Sequence, residues 1–375
     1  MTPTGPATRV GGVSHSPRDP VLTWRGTPIT RRSLLAGLGA VGAFLAVDFG
    51  AVAYANDWIA AGASKTRRTF IDAFHAVYGS HPGFRRNHAK GVAVTGYFDG
   101  NGNGAELSRA AVFQAGRTPV TGRFSLAGGN PFGADDPATA RGLALAFGFP
   151  GPRQWRTAML NLAVFPDNSP QGFYDRLVAG KLVQGTGKPD PDAMKRFLAA
   201  HPETVAATAV NKKHPPTAGF ADGTYSSLNT FFFVDDRGTR TPVRWSLTPL
   251  QSAGTATGDD GLFDALVRQL GAGPLRWRML LTVGEPGDPV NDATLPWPPG
   301  RRAVDAGTLT LTAAETEAPG NARDVNFDPL VLPDGIEPSD DPLLSARSAV
   351  YAASYRARTG EQKSPSAVQV AQVAR

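Results

Sequence analysis

The chain has 375 residues and is 41% hydrophobic, enough for one large domain or two modest ones; its 43 glycines and 32 prolines favour strands and irregular connections over a helical bundle. The absence of cysteine excludes disulfides, thiolate catalysis and cysteine-ligated metal centres. Residues 1–65 hold six cations and three anions, half of the net charge of +6. The rest of the chain contains no RNA- or DNA-binding motif, so we expect no nucleic-acid partner.

The N-terminal region predicts an export segment. Residues 1–29 are rich in Thr, Gly, Pro and Arg and predict a disordered leader. In "TRRSLL", Arg31 and Arg32 precede an apolar run, and a small-x-small triplet ends at Ala55. We therefore predict a twin-arginine signal over 30–55, either cleaved or kept as a membrane tether. The expected location is the periplasm or the outer face of the cell membrane.

The stretch after the leader predicts one helix and then mostly strands. Apolar residues at helical spacing occupy "RRTFIDAFHAVYG", which Gly79 ends. Period-two runs follow in "GVAVTGYF", "TPVTGRFSL", "GLALAFGF" and "TAMLNLAVF", and helical patterns then fill 170–209. Residues 229–247 predict a hairpin, and "GLFDALVRQLG" a helix before the strands "LRWRMLLTV" and "GTLTLTAA". Roughly eight strands with a helical insertion predict an α+β fold built on an antiparallel barrel or a strongly curled sheet.

The first candidate site lies in "FRRNHAKGVAVTGYF", residues 84–98, where three cations surround His88 just before a strand. The cations are Arg85, Arg86 and Lys90. A solvated strand end explains such a cluster. The alternative is a site for an anion, with His88 transferring protons beside it. These residues alone leave both interpretations open.

The second candidate site lies in "PSDDPLLSARSAVYAASYRAR". Asp341 is placed to cap a helix that begins at Pro342. On that helix Arg347, Tyr351 and Arg358 fall at i, i+4 and i+11, which puts them on one face. Neighbouring guanidinium groups favour the anionic form of a phenol, and a tyrosinate is a hard ligand for ferric haem. An amphipathic helix with solvated arginines has the same spacing.

Taken in order, four segments between residues 66 and 360 resemble the monofunctional haem catalases, and specifically the shorter catalase-related peroxidases. The segments are "RRNHAKGVAVTGYF", "GRFSLAGG", "LNLAVF" and "NFDPLVLPDGIEPSDDPLLSARSAVYAASYRAR". The resemblance implies an antiparallel eight-stranded catalase-type β-barrel with a helical insertion and flanking helices. It places a haem domain at 56–360 and a flexible tail at 361–375, with haem b (iron protoporphyrin IX) as cofactor.

The resemblance also implies a role for each matched side chain. His88 would shuttle the proton, Asn161 would hold the peroxide, and Ser125 would fix the imidazole tautomer. The remaining matches concern the cofactor: three arginines on the haem propionates, one tyrosine on the iron and one arginine supporting that tyrosine, namely Arg85, Arg123, Arg358, Tyr351 and Arg347. Arg86 and Lys90 match no role and are predicted to be solvated.

The implied activity is a peroxidase that reduces hydrogen peroxide or organic hydroperoxides through a ferryl intermediate, using an external electron donor. The chain is shorter than a full catalase, and Asn87 stands where catalases have an apolar residue. Both departures favour an open site, weak or no catalase activity and a simpler homo-oligomer. Two alternatives remain: a haem-dependent hydroperoxide isomerase on the same fold, and a non-catalytic haem-binding protein, which has no use for the His88 and Asn161 pair.

Overall fold

A computed structural model describes residues 20–24, 27–30, 67–183, 185–252, 254–256 and 258–373. The chain divides into two units, Met1–Ala63 and Ser64–Arg375. In the first unit, strands β1 (Pro20–Trp24) and β2 (Thr27–Thr30) pair antiparallel, within the stretch predicted to be a disordered leader. The predicted twin arginine and the rest of the export segment lie outside the described residues. None of the helices in the described part of the chain is long and apolar enough to span a membrane.

The second unit combines strands and helices in the predicted order. Its strands are β3 (Gly91–Gly100), β4 (Gly116–Leu126), β5 (Arg141–Phe147), β6 (Trp155–Leu160), β7 (Tyr225–Ser226), β8 (Phe231–Val234), β9 (Arg240–Pro249), β10 (Leu275–Val283), β11 (Ala303–Glu315) and β12 (Ile336–Pro338). Its α-helices are α1 (Arg67–Tyr78), α2 (Pro170–Ala179), α3 (Pro191–Ala200), α4 (Pro202–Lys212), α5 (Gly261–Ala272), α6 (Pro342–Gly360) and α7 (Val370–Val373). Short 3-10 helices include Ala322–Asp324.

Eight of these strands close into the predicted antiparallel barrel. The ladder runs β10, β11, β3, β4, β5, β6, β7, β9, and β9 also pairs with β10 from Trp277↔Pro249 to Val283↔Val243, which closes the circle. The predicted hairpin is β8–β9, and β12 adds to β8 outside the barrel. Closure removes free sheet edges, so the barrel is a rigid support for whatever packs on it.

The barrel interior is filled by aromatic rings. Period-two burial places Trp277 and Met279 of β10 inside, while the alternating Arg276 and Arg278 are exposed. Trp155 stacks on Phe147 with ring centroids 4.8 Å apart. With the inside occupied by side chains, any large cavity has to lie on the outer face of the sheet, under the helices.

The C-terminal residues pack on the domain, whereas the sequence predicted a flexible tail at 361–375. Val368 is buried in the main core, and the Val370 backbone donates to Thr316 Oγ1 at 2.9 Å. The Glu361 carboxylate pairs with Arg86 and accepts the Gly83 backbone N–H at 2.7 Å. Apolar burial and a buried ion pair therefore hold the part of the tail that the structure describes.

Candidate active site

A cavity of about 660 Å³ lies between the outer face of β4–β6 and the helices α1, α2, α3, α4 and α6. Arg123 and Ser125 of β4 line it, while Phe124 between them points into the barrel core. Seven of the eight predicted site residues line this one cavity: Arg85, His88, Arg123, Ser125, Arg347, Tyr351 and Arg358. The fold thus brings together segments that are far apart in the chain.

His88 lies at the entry to β3 in an unusual backbone conformation. Its φ is +56°, a left-handed value that is rare for a residue with a side chain. The Asn87 Oδ1 accepts the backbone N–H groups of His88 at 3.0 Å and of Gly128 at 2.9 Å, which fixes this bend. The His88 Nδ1 then meets the Ser125 Oγ at 3.0 Å, leaving Nε2 as the ring nitrogen without this bond. Asn87 therefore shapes the loop as well as lining the cavity.

Gly142 of β5 makes the room that this imidazole occupies. A Cβ at this position would lie 2.9 Å from the Ser125 Oγ and 3.2 Å from the His88 ring. Real Cβ contacts are almost never that close, so only glycine fits without displacing the pair. Sequence reasoning missed Gly142, although a glycine inside a strand pattern often marks a close approach.

Small side chains make the strand wall of the cavity flat. In register, Ser125 pairs with Gly142, and Arg123 pairs with Ala144, which pairs in turn with Ala158. All of these residues line the cavity. A wall of glycine and alanine suits a flat, rigid group better than a branched one.

The opposite wall is one face of α6. Asp341 caps this helix by accepting the Leu343 N–H at 2.9 Å, as predicted. Arg347 donates to the Asn229 Oδ1 at 2.5 Å and to the Ala158 carbonyl at 3.0 Å, and Asn229 itself donates to Asp341 at 2.8 Å. The helix cap and the site arginine therefore share a buried partner, Asn229, that sequence reasoning did not identify.

Tyr351 lies one turn beyond Arg347 on the same face and lines the cavity. It packs against the small cluster that contains Phe327 and Ala322. The predicted alignment of arginine and tyrosine on one helix face is therefore present, and it faces the cavity instead of solvent.

Arg85 and Arg358 converge on the segment just before α6. Both donate to the Val325 carbonyl at 3.1 Å, and both also donate to carbonyls of the 3-10 helix Ala322–Asp324. Burial, and next the nearby Arg358, hold the pKa of Arg85 well below its ordinary value. Burial, and next Arg123, lower the pKa of Arg358 to about 10. The charged form of each of these two arginines is thus disfavoured by burial and by the neighbouring arginines.

Arg123 has a buried partner of its own. Its Nε and Nη2 donate to the Glu317 carboxylate at 2.8 and 2.9 Å, and the same guanidinium donates to the carbonyls of His88 and Ala89. Burial opposes the charge of Glu317, but Arg123 outweighs it and holds the pKa of the carboxyl below its usual value. Arg123 was predicted to bind a haem propionate; the structure shows it neutralised by Glu317, 194 residues away.

The described cavity lining contains six arginines and no aspartate or glutamate. The surplus positive charge, the flat strand wall and the apolar surroundings fit a flat, largely apolar group that carries carboxylates. The same charge acts on His88, whose pKa is lowered to about 3 by burial and by Arg123, Arg347 and Arg85. Its imidazole is therefore neutral at neutral pH.

Asn161 is the predicted site residue that does not line the cavity. Its Oδ1 accepts the Arg141 backbone N–H at 2.7 Å, and its own N–H donates to the Arg141 carbonyl. Its neighbours Leu160 and Leu162 do line the cavity. Asn161 thus lies beside the cavity and ties the start of β5 to the end of β6.

The prediction that Arg86 and Lys90 are solvated was wrong. Arg86 is 5% exposed and pairs with Glu361, while Lys90 is 4% exposed. The Lys90 Nζ donates to Asp135 at 2.7 Å and to Asp260 at 2.5 Å. These partners lie 45 to 275 residues away, so the local basic cluster could not reveal them.

Comparisons with known proteins agree with this fold. Residues 80–262 match the family model described as Catalase. The chain is 38% identical over 296 residues to a catalase-related peroxidase of Synechococcus elongatus, covering 77% of this chain and 87% of that protein. A catalase-related peroxidase of Mycolicibacterium paratuberculosis is 32% identical, with 77% and 94% covered.

Full-length catalases are more distant. A catalase of Glandirana rugosa is 26% identical over 295 residues, which is 73% of this chain but 56% of that protein. The structure of catalase A from Saccharomyces cerevisiae superposes with a TM-score of 0.66 at 22% identity, covering 74% of this chain and 62% of that one. The chain belongs to the catalase-related peroxidases, a group of peroxide-acting oxidoreductases on the catalase fold.

Proposed function

We propose that the protein is a haem b peroxidase that reduces hydrogen peroxide or organic hydroperoxides with an external electron donor and has weak or no catalase activity. The observation that carries this proposal is the hydrogen-bonded His88–Ser125 pair in a cavity that has surplus arginines and no lining carboxylate among the described residues. The family membership supplies peroxide as the substrate class.

The donor set of the cavity suits haem. Arg85 and Arg358 would bind its two propionates, Tyr351 would ligate the iron, and Arg347, one helical turn away, would support Tyr351. The flat strand wall would lie along the porphyrin. When bound, haem supplies the redox chemistry of O–O cleavage, and the protein supplies placement and proton transfer.

His88 would perform the proton transfer. The neutral imidazole would take the proton from the O–H group of the hydroperoxide and return it to the other oxygen, so that hydrogen peroxide releases water and an organic hydroperoxide releases an alcohol. The Ser125 hydroxyl at Nδ1 fixes the ring orientation and leaves Nε2 for this exchange. Glu317 keeps Arg123 in place under the His88 carbonyl.

The overall reaction is balanced by a one-electron donor such as a phenol. A hydroperoxide takes up two electrons and two protons to give an alcohol and water, and two phenol molecules supply both. The preference for an external donor over a second peroxide is supported by the 38% identity to a catalase-related peroxidase and by a cavity whose lining residue Leu198 is 37% exposed.

The test is to replace His88 by alanine and to compare it with His214→Ala, a change at an exposed histidine. We expect His88→Ala to keep its haem but to slow guaiacol oxidation by peroxide roughly 10²–10⁴-fold, while His214→Ala matches the wild type. Equal rates with full haem content would contradict the proposal. So would a product isomeric with an organic hydroperoxide, formed without a donor.

We also propose export by the twin-arginine route, on the strength of the Arg31 and Arg32 pair in "TRRSLL". Replacing both by lysine should leave the protein in the cytoplasm, because the pair is recognised as a specific motif and not as positive charge alone. Cell fractionation measures this, and normal export of the double variant would contradict it.

A further inference from the structure

The cavity extends beyond the arginine-rich end into the helical insertion. There its lining becomes apolar, with Phe165 and Phe173 near α2 and Met194 and Leu198 on α3. Leu198 lines the cavity and is also 37% exposed, so it marks the mouth. The route from solvent to the site therefore passes between the helices of the insertion.

Exposed apolar side chains concentrate in the segment that contains Leu198. Nine large apolar side chains are exposed among the described residues, and five of them fall between 178 and 205. They are Val178, Leu182, Val183, Leu198 and Val205. Single exposed apolar residues are ordinary, but such a concentration on one short segment marks an interaction surface. We call the exposed side of residues 170–213 the insertion face.

The insertion face is also where the charge of the domain lies. Residues 170–213 contain seven lysines and arginines and four acids, while the rest of the chain beyond residue 65 has equal numbers of both. One of the seven, Arg176, pairs with Asp167 just outside the segment, which leaves an excess of two. Five exposed lysines contribute: Lys181, Lys188, Lys195, Lys212 and Lys213.

The acids of the same segment are largely engaged in other contacts. Asp190 caps α3 by accepting the Asp192 N–H at 3.0 Å, and His201 lies 2.8 Å from Glu203 and 3.6 Å from Asp175. The described carboxylates form no ion pair with the five lysines. The insertion face therefore carries both exposed apolar side chains and exposed lysines that no described carboxylate pairs with.

We propose that the insertion face binds the surface of a bilayer with anionic headgroups, and that the cavity admits hydroperoxides of the lipids in that bilayer. Apolar side chains that enter the acyl boundary and lysines that meet the headgroups are what a peripheral membrane protein needs. The substrate part of this proposal rests on the proposed peroxidase function, whereas the binding part does not.

The test measures binding of the full chain to vesicles without peroxide. Vesicles of phosphatidylcholine alone are compared with vesicles containing roughly one-third phosphatidylglycerol, by co-sedimentation at low and high salt. We expect the anionic vesicles to be preferred and salt to weaken the preference. Lys181→Gln/Lys188→Gln/Lys195→Gln should bind roughly a hundredfold more weakly, since each lysine near an anionic surface contributes about 1 kcal/mol.

Matched variants control for charge and for the leader, which is present in every protein compared. Arg153→Gln/Arg237→Gln/Arg276→Gln removes the same charge from exposed positions elsewhere and should bind as the wild type does. Val178→Ser/Leu182→Ser/Val183→Ser should bind at least roughly tenfold more weakly, and Phe149→Ser/Leu250→Ser should not.

Binding and catalysis can fail separately in this design. If the peroxidase proposal is right, the Val178→Ser/Leu182→Ser/Val183→Ser variant should reduce soluble tert-butyl hydroperoxide at the wild-type rate but phosphatidylcholine hydroperoxide in anionic vesicles more slowly. Equal vesicle binding by insertion-face and control variants would overturn the membrane proposal and leave the peroxidase proposal standing. The membrane proposal would also be overturned if the wild-type chain did not bind vesicles and instead formed a dimer that the three serine substitutions dissociate. A second copy of the chain would then cover the insertion face.

Discussion

Two ionic clusters lie near the start of β3, and they differ in how fully carboxylates of the protein pair their cations. Around Lys90, one cation meets two carboxylates and the Gly133 carbonyl, so every proton on its Nζ has an acceptor. Burial opposes the charge of Lys90, but the two aspartates outweigh it and raise its pKa. The cavity cluster has three arginines, Arg85, Arg123 and Arg358, and one carboxylate.

This difference separates structure from binding. The Lys90 cation is fully paired by the protein itself, and its cluster joins the loop before β5 to the start of α5, where Asp135 also accepts the Leu262 and Phe263 N–H groups. The cavity cluster remains positive, which is unfavourable in a buried place unless an anion joins it. A buried cluster whose cations are all paired by carboxylates of the protein stabilises the fold. A buried cluster with unpaired cations indicates a binding site for an anionic ligand.

The largest expected effect comes from breaking the complete cluster. Lys90→Met leaves the 1% exposed Asp135 carboxylate without its cation, and we expect a loss of about 3 kcal/mol in the free energy of unfolding. Urea denaturation measures it. Arg240→Met, which removes an exposed pair with Glu337, should cost less than about 1 kcal/mol. A small effect at Lys90 would remove the contrast between the clusters.

Removing a cation from the incomplete cluster should act on binding instead. Arg358→Met removes a charged donor for a haem carboxylate, and we expect roughly ten- to hundredfold weaker haem binding. Stability of the haem-free protein should change less than in Lys90→Met, because like-charge repulsion is relieved. Haem titration gives the affinity, with the exposed Arg356→Met on the same helix as control. Unchanged affinity would show that Arg358 serves only the backbone carbonyls of Arg323 and Val325.

Removing Glu317, the one carboxylate of the cavity cluster, should change haem affinity and the stability of the haem-free protein in opposite directions. Glu317→Gln raises the positive surplus, so we expect haem to be held roughly two- to fivefold more tightly while the haem-free protein loses stability. The rate of haem transfer to apomyoglobin and urea denaturation report the two effects. Faster haem loss would mean that Glu317 acts mainly by positioning Arg123.

The smallest expected effect is a flat pH profile. The folded protein lowers the pKa of His88 to about 3, so the imidazole stays neutral where an ordinary histidine would titrate. Below about pH 6.5 the unfolded chain takes up a proton that the folded chain does not, so this group lowers stability as pH falls. Stopped-flow rates of the reaction with peroxide should be constant from about pH 5 to 8. A change in this rate with a midpoint near pH 6.5, present in the wild type and absent in His88→Ala, would contradict the prediction.

Local patterns were sufficient for much of this structure. The β8–β9 hairpin and α6 follow from turn residues, a cap and periodicity that lie within about twenty residues of each other. The family motifs located His88 and Ser125, and the structure joins them at 3.0 Å.

The rest depended on contacts between distant segments. Glu317 meets Arg123 across 194 residues, and Asn229 meets Arg347 across 118. No local pattern distinguishes such an acid or amide from its solvated neighbours. Burial of Lys90 depends on Asp260, 170 residues away, for the same reason. Charge balance inside a fold is a property of the tertiary structure.

The left-handed backbone at His88 has a practical consequence for anyone engineering this protein. A residue with a side chain loses on the order of 1 kcal/mol of stability in this left-handed conformation, whereas a glycine at that position would adopt it without strain. Selecting variants for heat resistance alone would therefore favour replacing the imidazole itself. Thermostability screens on this scaffold need a turnover assay in every round, or they will enrich proteins that are sturdier and inert.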